Sequence, residues 1–199
     1  MSLGSRVVLC YCLSLIISVA LLLILPAGTW RFWQAWIFLA IVFAYLLCAF
    51  RYFYNHDPQL LERRMRGKEK LAAQKRLILV WRPVFVVLFL IPGFDYRFGW
   101  SRRLFGEVPP WLSVLADVVI LLGFLMVFWV LRVNSFASRT IELQTGQKVI
   151  SSGPYALVRH PMYLGSIVLC VSIPLALGFV CGVACLRSCS AFLRRAAAR

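Results

Sequence analysis

A chain of 199 residues with 62% hydrophobic side chains and a mean hydropathy of +0.83 is too apolar for a soluble domain, which is usually closer to half apolar. Its length fits one compact bundle over residues 1–199 and leaves little room for a second domain. The net charge of +15 raises nucleic-acid binding as a possibility. However, the basic residues cluster between apolar runs, which fits anchoring at anionic headgroups and orientation by the positive-inside rule; no nucleic-acid partner is expected.

Val7–Leu25 carries no charge and is long enough to cross the hydrocarbon core. A signal peptide would have a shorter apolar core, so an uncleaved first span is expected. Pro26, Gly28 and Thr29 make a tight turn. Phe32–Phe50 is a second uncharged run, with Trp30, Trp33 and Trp36 as an interfacial belt. Together the two runs read as a helical hairpin.

Arg51–Arg76 is rich in arginine and lysine, which places it in the cytosol, and with it the N-terminus two spans earlier. Asp57-Pro58 with Glu62 reads as the start of an amphipathic surface helix within this loop. Leu77–Ile91 is the weakest span: it holds Arg82-Pro83, and Pro92-Gly93 is expected to end it. Pro109-Pro110 then precedes Trp111–Leu131, a clear span interrupted by Asp117. That aspartate lies about two turns from the helix start, which points to an outer-interface position rather than a proton relay.

Arg132–Arg159 is the second basic loop, expected in the cytosol, with turn points at Gly146 and Gly153-Pro154. Tyr163–Leu186 follows, divided by Pro174 and Gly178. A single crossing there would leave Arg187, Arg194, Arg195 and Arg199 outside, so a broken segment that returns inward is expected. The fold class is therefore all-α: a polytopic transmembrane bundle of about five spans, the last broken at Pro174/Gly178. Seven cysteines, an odd number, lie mostly in apolar runs without zinc-type spacing, and the histidines are His56 and His160. Membrane-buried thiols and no metal site are expected.

The window Gly153-Pro154-Tyr155-Ala156-Leu157-Val158-Arg159-His160-Pro161-Met162-Tyr163-Leu164-Gly165 carries the chemistry. Pro154 and Pro161 fix backbone angles on either side of a short turn. Gly153 and Gly165 permit close backbone approach. Tyr155, His160 and Tyr163 offer flat rings with hydrogen-bonding edges, and Arg159 offers a fixed cation for a carboxylate. Such a set suits a ligand with a planar heterocycle and a charged amino-acid end. A histidine alone at this depth reads as an interfacial residue satisfied by backbone, and Arg159 fits the positive-inside rule equally well. The tyrosines fit an interfacial belt. It is the whole window that favours a ligand.

The window resembles the signature of the membrane methyltransferases that include isoprenylcysteine carboxyl methyltransferases and phospholipid N-methyltransferases: Gly153-Pro154-Tyr155, Arg159-His160-Pro161, Tyr163 and Gly165. Asn134-Ser135-Phe136, Gly146-Gln147-Lys148-Val149-Ile150 and the Asp95–Ser101 stretch are similar to the same family, so the resemblance covers roughly Ile91 to Gly178. It implies S-adenosylmethionine as cofactor and a cofactor loop over residues 132–165. It also implies that Gln147, Lys148, Val149 and Ile150 line the pocket through their backbone, with Tyr155 packed near the cofactor. Arg159, His160, Pro161, Met162 and Tyr163 complete the cofactor-binding set; no catalytic side chain is assigned.

One departure stands out. The family continues to a segment with an arginine and paired glutamates, whereas the last acidic residue here is Glu142, and 179–199 is an arginine, cysteine, serine and alanine mixture. That tail reads as a truncated or frame-shifted version of the family's segment.

The function this implies is methyl transfer to a lipophilic acceptor such as an isoprenylcysteine-type carboxylate, with membrane lipids as surroundings and a lipid or small lipophilic molecule as partner. A phospholipid N-methyltransferase is the alternative. So is an impaired membrane protein keeping the cofactor loop, and a sterol-reductase-type enzyme using a nicotinamide cofactor is a weaker one.

Overall fold

The computed structural model describes residues 3–65, 72–134 and 152–179. All regular structure in these residues is helical. Helix α1 is Leu3–Ala27, α2 Trp33–His56, α3 Pro58–Met65, α4 Ala72–Phe98, α5 Trp100–Phe105, α6 Pro110–Val133, α7 Pro154–Leu157 and α8 Pro161–Ala176. Helices α1, α2, α4, α6 and α8 run in alternating directions, which is the expected polytopic bundle.

Three of these helices are long and apolar enough to cross a membrane: Cys10–Ala27, Trp33–His56 and Pro110–Val133. Helix α4 has 27 residues and α8 has 16. The expected Tyr163–Leu186 segment therefore starts earlier, at Pro161, and its helix closes at Ala176. Pro174 sits inside the last turn, and the break falls on Gly178, whose φ is 76°. Phe179 N donates to Pro174 O at 2.9 Å and Gly178 N to Leu175 O, a left-handed glycine cap that satisfies the orphan carbonyls of the helix end. The tail after Phe179 lies outside the described residues.

Punctuation elsewhere follows the sequence with one exception. Gly28, at φ 65°, closes α1 with its N–H on Ile24 O and Leu25 O. Asp57 ends α2 and starts α3, its Oδ1 accepting Leu60 N–H at 3.0 Å. Pro110 occupies the first turn of α6. Pro92-Gly93, in contrast, does not end its span: α4 runs through both Pro83 and Pro92 to Phe98. Gly93 serves packing instead. A Cβ there would meet Leu23 O of α1 at 2.6 Å, so a bare backbone is what lets α1 and α4 touch.

The core lies between α1, α2, α4, α6 and α8. Leu23, Phe32, Ala35, Phe38, Phe89, Ile120 and Ala176 are buried at its centre. Helices α6 and α8 pack along most of α8 through a pair of glycines. A Cβ on Gly165 would lie 3.0 Å from Val127 Cγ2, and one on Gly123 3.1 Å from Leu169 Cδ2. Asp117, about two turns into α6, faces the inside of the bundle: it is 3% exposed, and neither carboxylate oxygen has a hydrogen-bond partner among the described residues.

Candidate functional site

The Gly153–Gly165 window sits where α6 ends and α8 begins, at one end of the bundle, called the motif end below. Gly153 precedes α7 with φ 63° and ψ −130°, a conformation that side-chain-bearing residues rarely adopt. A Cβ at Gly153 would also lie 3.1 Å from Val133 Cγ2 and 3.6 Å from Trp129 Nε1. The turn is thus held against the last turn of α6. Pro154 is fully buried and opens α7; Pro161 is fully buried and opens α8. Between them the chain makes one helical turn and then an extended residue, Val158. The two prolines confine this segment, as their fixed φ requires.

The side chains divide by role. Tyr155 is half-buried, and its hydroxyl accepts from Asn134 Nδ2 at 2.8 Å. This bond ties the residue capping α6 to α7 and is a link of the site that sequence reasoning missed. Asn134 was visible as a polar residue just past a span, but its partner twenty-one positions on was not. Met162 packs against the small buried cluster of Phe53, Leu60 and Leu131, fastening the start of α8 to α2 and α3.

Arg159, His160 and Tyr163 are exposed on the outer surface of the turn. The His160 ring stacks on Tyr163 with centroids 5.5 Å apart and planes 30° from parallel. His160 O accepts from Tyr163 N and Leu164 N, so the histidine also begins α8. Arg159 has no ion-pair partner among the described residues. Gln147, Lys148, Val149 and Ile150 lie outside the described residues. Six of the residues read from sequence as a site therefore have a described position, Tyr155, Arg159, His160, Pro161, Met162 and Tyr163, and the structure adds Asn134.

The same end of the bundle gathers aromatic rings. Tyr52 stacks on His56 at 4.3 Å, and the Arg132 guanidinium lies 5.9 Å from the Tyr52 ring centre. Deeper in the bundle an apolar cavity of about 280 Å³ opens between α1, α2, α4, α6 and α8. Phe38, Phe85, Phe89 and Phe124 line it, with Tyr45 and Ser166 also on its wall. Ser166 is the neighbour of Gly165, one turn into α8.

An open turn with an exposed guanidinium and stacked rings can hold an anionic group beside a planar one. A nearby cavity lined by aromatic and aliphatic side chains can hold hydrocarbon. No curated protein and no solved structure matches the chain. A family model described as phospholipid methyltransferase matches residues 111–196, which takes in α6, α7, α8, the loop before α7 and most of the tail. Residues 111–196, the part of the bundle that builds the proline-bounded turn, are thus similar to the phospholipid methyltransferase family.

Proposed function

We propose that the protein transfers a methyl group from S-adenosylmethionine to a lipophilic acceptor at the motif end of the bundle. The observation that carries this reading is the turn itself, within the family segment: clamped by Pro154, Pro161 and the Asn134–Tyr155 bond, it presents Arg159, His160 and Tyr163 together. These residues fit the cofactor. Arg159 can pair with its carboxylate as a planar, permanently charged fork. The exposed faces of His160 and Tyr163 can receive its adenine ring. Gln147–Ile150 would form the opposite side through their backbone, as the family resemblance implies.

When bound, S-adenosylmethionine supplies a methyl group on a sulfonium, which is already a strong electrophile. What remains for the protein is alignment and exclusion of water. The rigid turn fixes the cofactor side, and the apolar cavity supports a hydrocarbon-bearing acceptor approaching from within the membrane. No side chain is needed as a general base for an acceptor that arrives with a free lone pair. The acceptor is a carboxylate of isoprenylcysteine type, with a phospholipid amine as the second reading, which the family match favours. Arg51, Arg132 and Arg159 at the motif end support a cytosolic position for it by the positive-inside rule.

The test is calorimetry of the purified protein in detergent, followed by radiolabelled methyl transfer into a membrane lipid extract. S-adenosylmethionine binds and NADPH does not; label appears in the lipid phase. Tight NADPH binding without S-adenosylmethionine binding overturns the reading. Cofactor binding without any transfer would mark a protein that keeps the loop and has lost turnover. His160→Ala weakens cofactor binding about tenfold, the worth of one good aromatic stacking contact; unchanged affinity in the folded variant removes His160 from the site.

A further inference from the structure

The end of the bundle opposite the motif holds a polar cavity that methyl transfer does not use. Its volume is about 190 Å³, room for about six waters at the ~30 Å³ each occupies in the liquid. Trp33 and Gln34 open α2 on one side, Asp95 and Tyr96 close α4 on another, and Glu107 and Gly178 stand at the edges.

The polar groups of this cavity are unbalanced in one direction. Gln34 Oε1 is buried and accepts no hydrogen bond among the described residues. Asp95 is 7% exposed, and its carboxylate accepts from the backbone N–H of Ser101 at 2.7 Å and from the Ser101 hydroxyl. It has no cationic partner among the described residues. The nearby guanidinium of Arg102 is committed to Glu107 at 3.1 Å. Two carboxylates thus face one cation, and the orphaned atom is an acceptor. Buried acceptors and buried negative charge are costly until a donor or a cation completes them. Water can donate to these acceptors but cannot offset the negative charge; a group that brings both N–H and positive charge does both.

The walls narrow the choice further. Trp33 and Tyr96 bring aromatic rings to the cavity, and such rings attract organic cations. No three histidine, cysteine, aspartate or glutamate side chains come together among the described residues, so the set is poor for a divalent metal. We propose that this cavity binds a primary ammonium group, carried by a lipid headgroup or by a free small amine. Its three N–H donors are met by Gln34 Oε1 and the remaining lone pairs of Asp95. The mouth, beside the first turn of α6, stands at headgroup depth when α6 crosses the membrane, which makes both sources accessible.

The experiment uses the whole chain in detergent and reads thermal unfolding and calorimetry, with no S-adenosylmethionine present, so its outcome is separate from that of the methyl-transfer reading. Ethanolamine binds and raises the unfolding temperature; choline, which lacks N–H donors, and sodium chloride at equal ionic strength do not. Gln34→Leu lowers ethanolamine affinity at least tenfold while its unfolding temperature without ligand stays level or rises, since the orphaned oxygen is gone. Gln34→Glu tightens binding several-fold. Equal protection by choline or sodium overturns the proposal, as does unchanged affinity in Gln34→Leu. Nanodiscs separate the sources. If ethanolamine-headgroup lipid abolishes the binding of free ethanolamine and choline-headgroup lipid does not, the occupant is the lipid; if neither lipid competes, it is the free amine.

Discussion

Replacing Asp117 by leucine should stabilise the protein. The carboxylate is 3% exposed, in the first half of α6, and neither oxygen meets a donor among the described residues. Its neighbours on that helix face are Ser113, which donates to Leu175 O, and Ile120, fully buried. Leucine is close to aspartate in length, so it fits the same space with modest repacking. A buried polar group without a partner costs about 1–3 kcal/mol. Removing it should return an amount of that order, less any strain from the added branch. For a chain of this size each kcal/mol moves the unfolding midpoint by about 2–4 °C. Thermal unfolding in detergent at fixed pH should therefore show Asp117→Leu melting several degrees above the natural chain, with Asp117→Asn close to unchanged. A lower melting temperature for the leucine variant would refute the reasoning, because it would mean that the carboxylate has a partner. Loss of methyl transfer in a more stable Asp117→Leu protein would instead assign Asp117 a functional task.

Asn134→Ala and Tyr155→Phe each remove the 2.8 Å bond between the end of α6 and α7. Each should loosen cofactor binding, and a double-mutant cycle read by calorimetry should show a coupling of about 0.5–1.5 kcal/mol; additive losses would show that the bond does not position the turn. Gly165→Ala places a Cβ 3.0 Å from Val127 Cγ2. Overpacking of this kind costs about 1–3 kcal/mol, so the variant should melt several degrees lower, and Gly165→Ala with Val127→Ala should recover most of the loss.

Much of the bundle was legible because its signals are local. The uncharged runs before and after Gly28 give the α1–α2 hairpin. Asp57-Pro58 gives the start of α3, and Pro109-Pro110 the start of α6. What the sequence left out depends on other helices. Pro92-Gly93 looks like a turn, but its glycine answers to Leu23 of another helix, and no local pattern reports that. Asp117 is two turns from a helix start, which says nothing about the direction its side chain faces. Within the site, the rigid turn was readable from Gly153, Pro154 and Pro161. The Asn134–Tyr155 tie and the packing of Met162 against the Phe53, Leu60 and Leu131 cluster depend on three-dimensional neighbours. A motif names its residues long before it names what holds them.

The early stop at Gly178 sets a membrane thickness. Helix α8 has 16 residues, about 24 Å at 1.5 Å per residue, against a hydrocarbon core of about 30 Å. Helices α2 and α6, with 24 residues each, have length to spare. With the far ends of α6 and α8 level, the turn at Pro161 hangs roughly 6 Å inside the other surface, a mismatch that a bilayer relieves by thinning locally. Lipid headgroups beside α8 would then dip toward the turn, and Arg159 can reach up to meet them. A bilayer thinned beside α8 is the expected consequence of so short a helix, and it would lower lipid headgroups toward the proposed site.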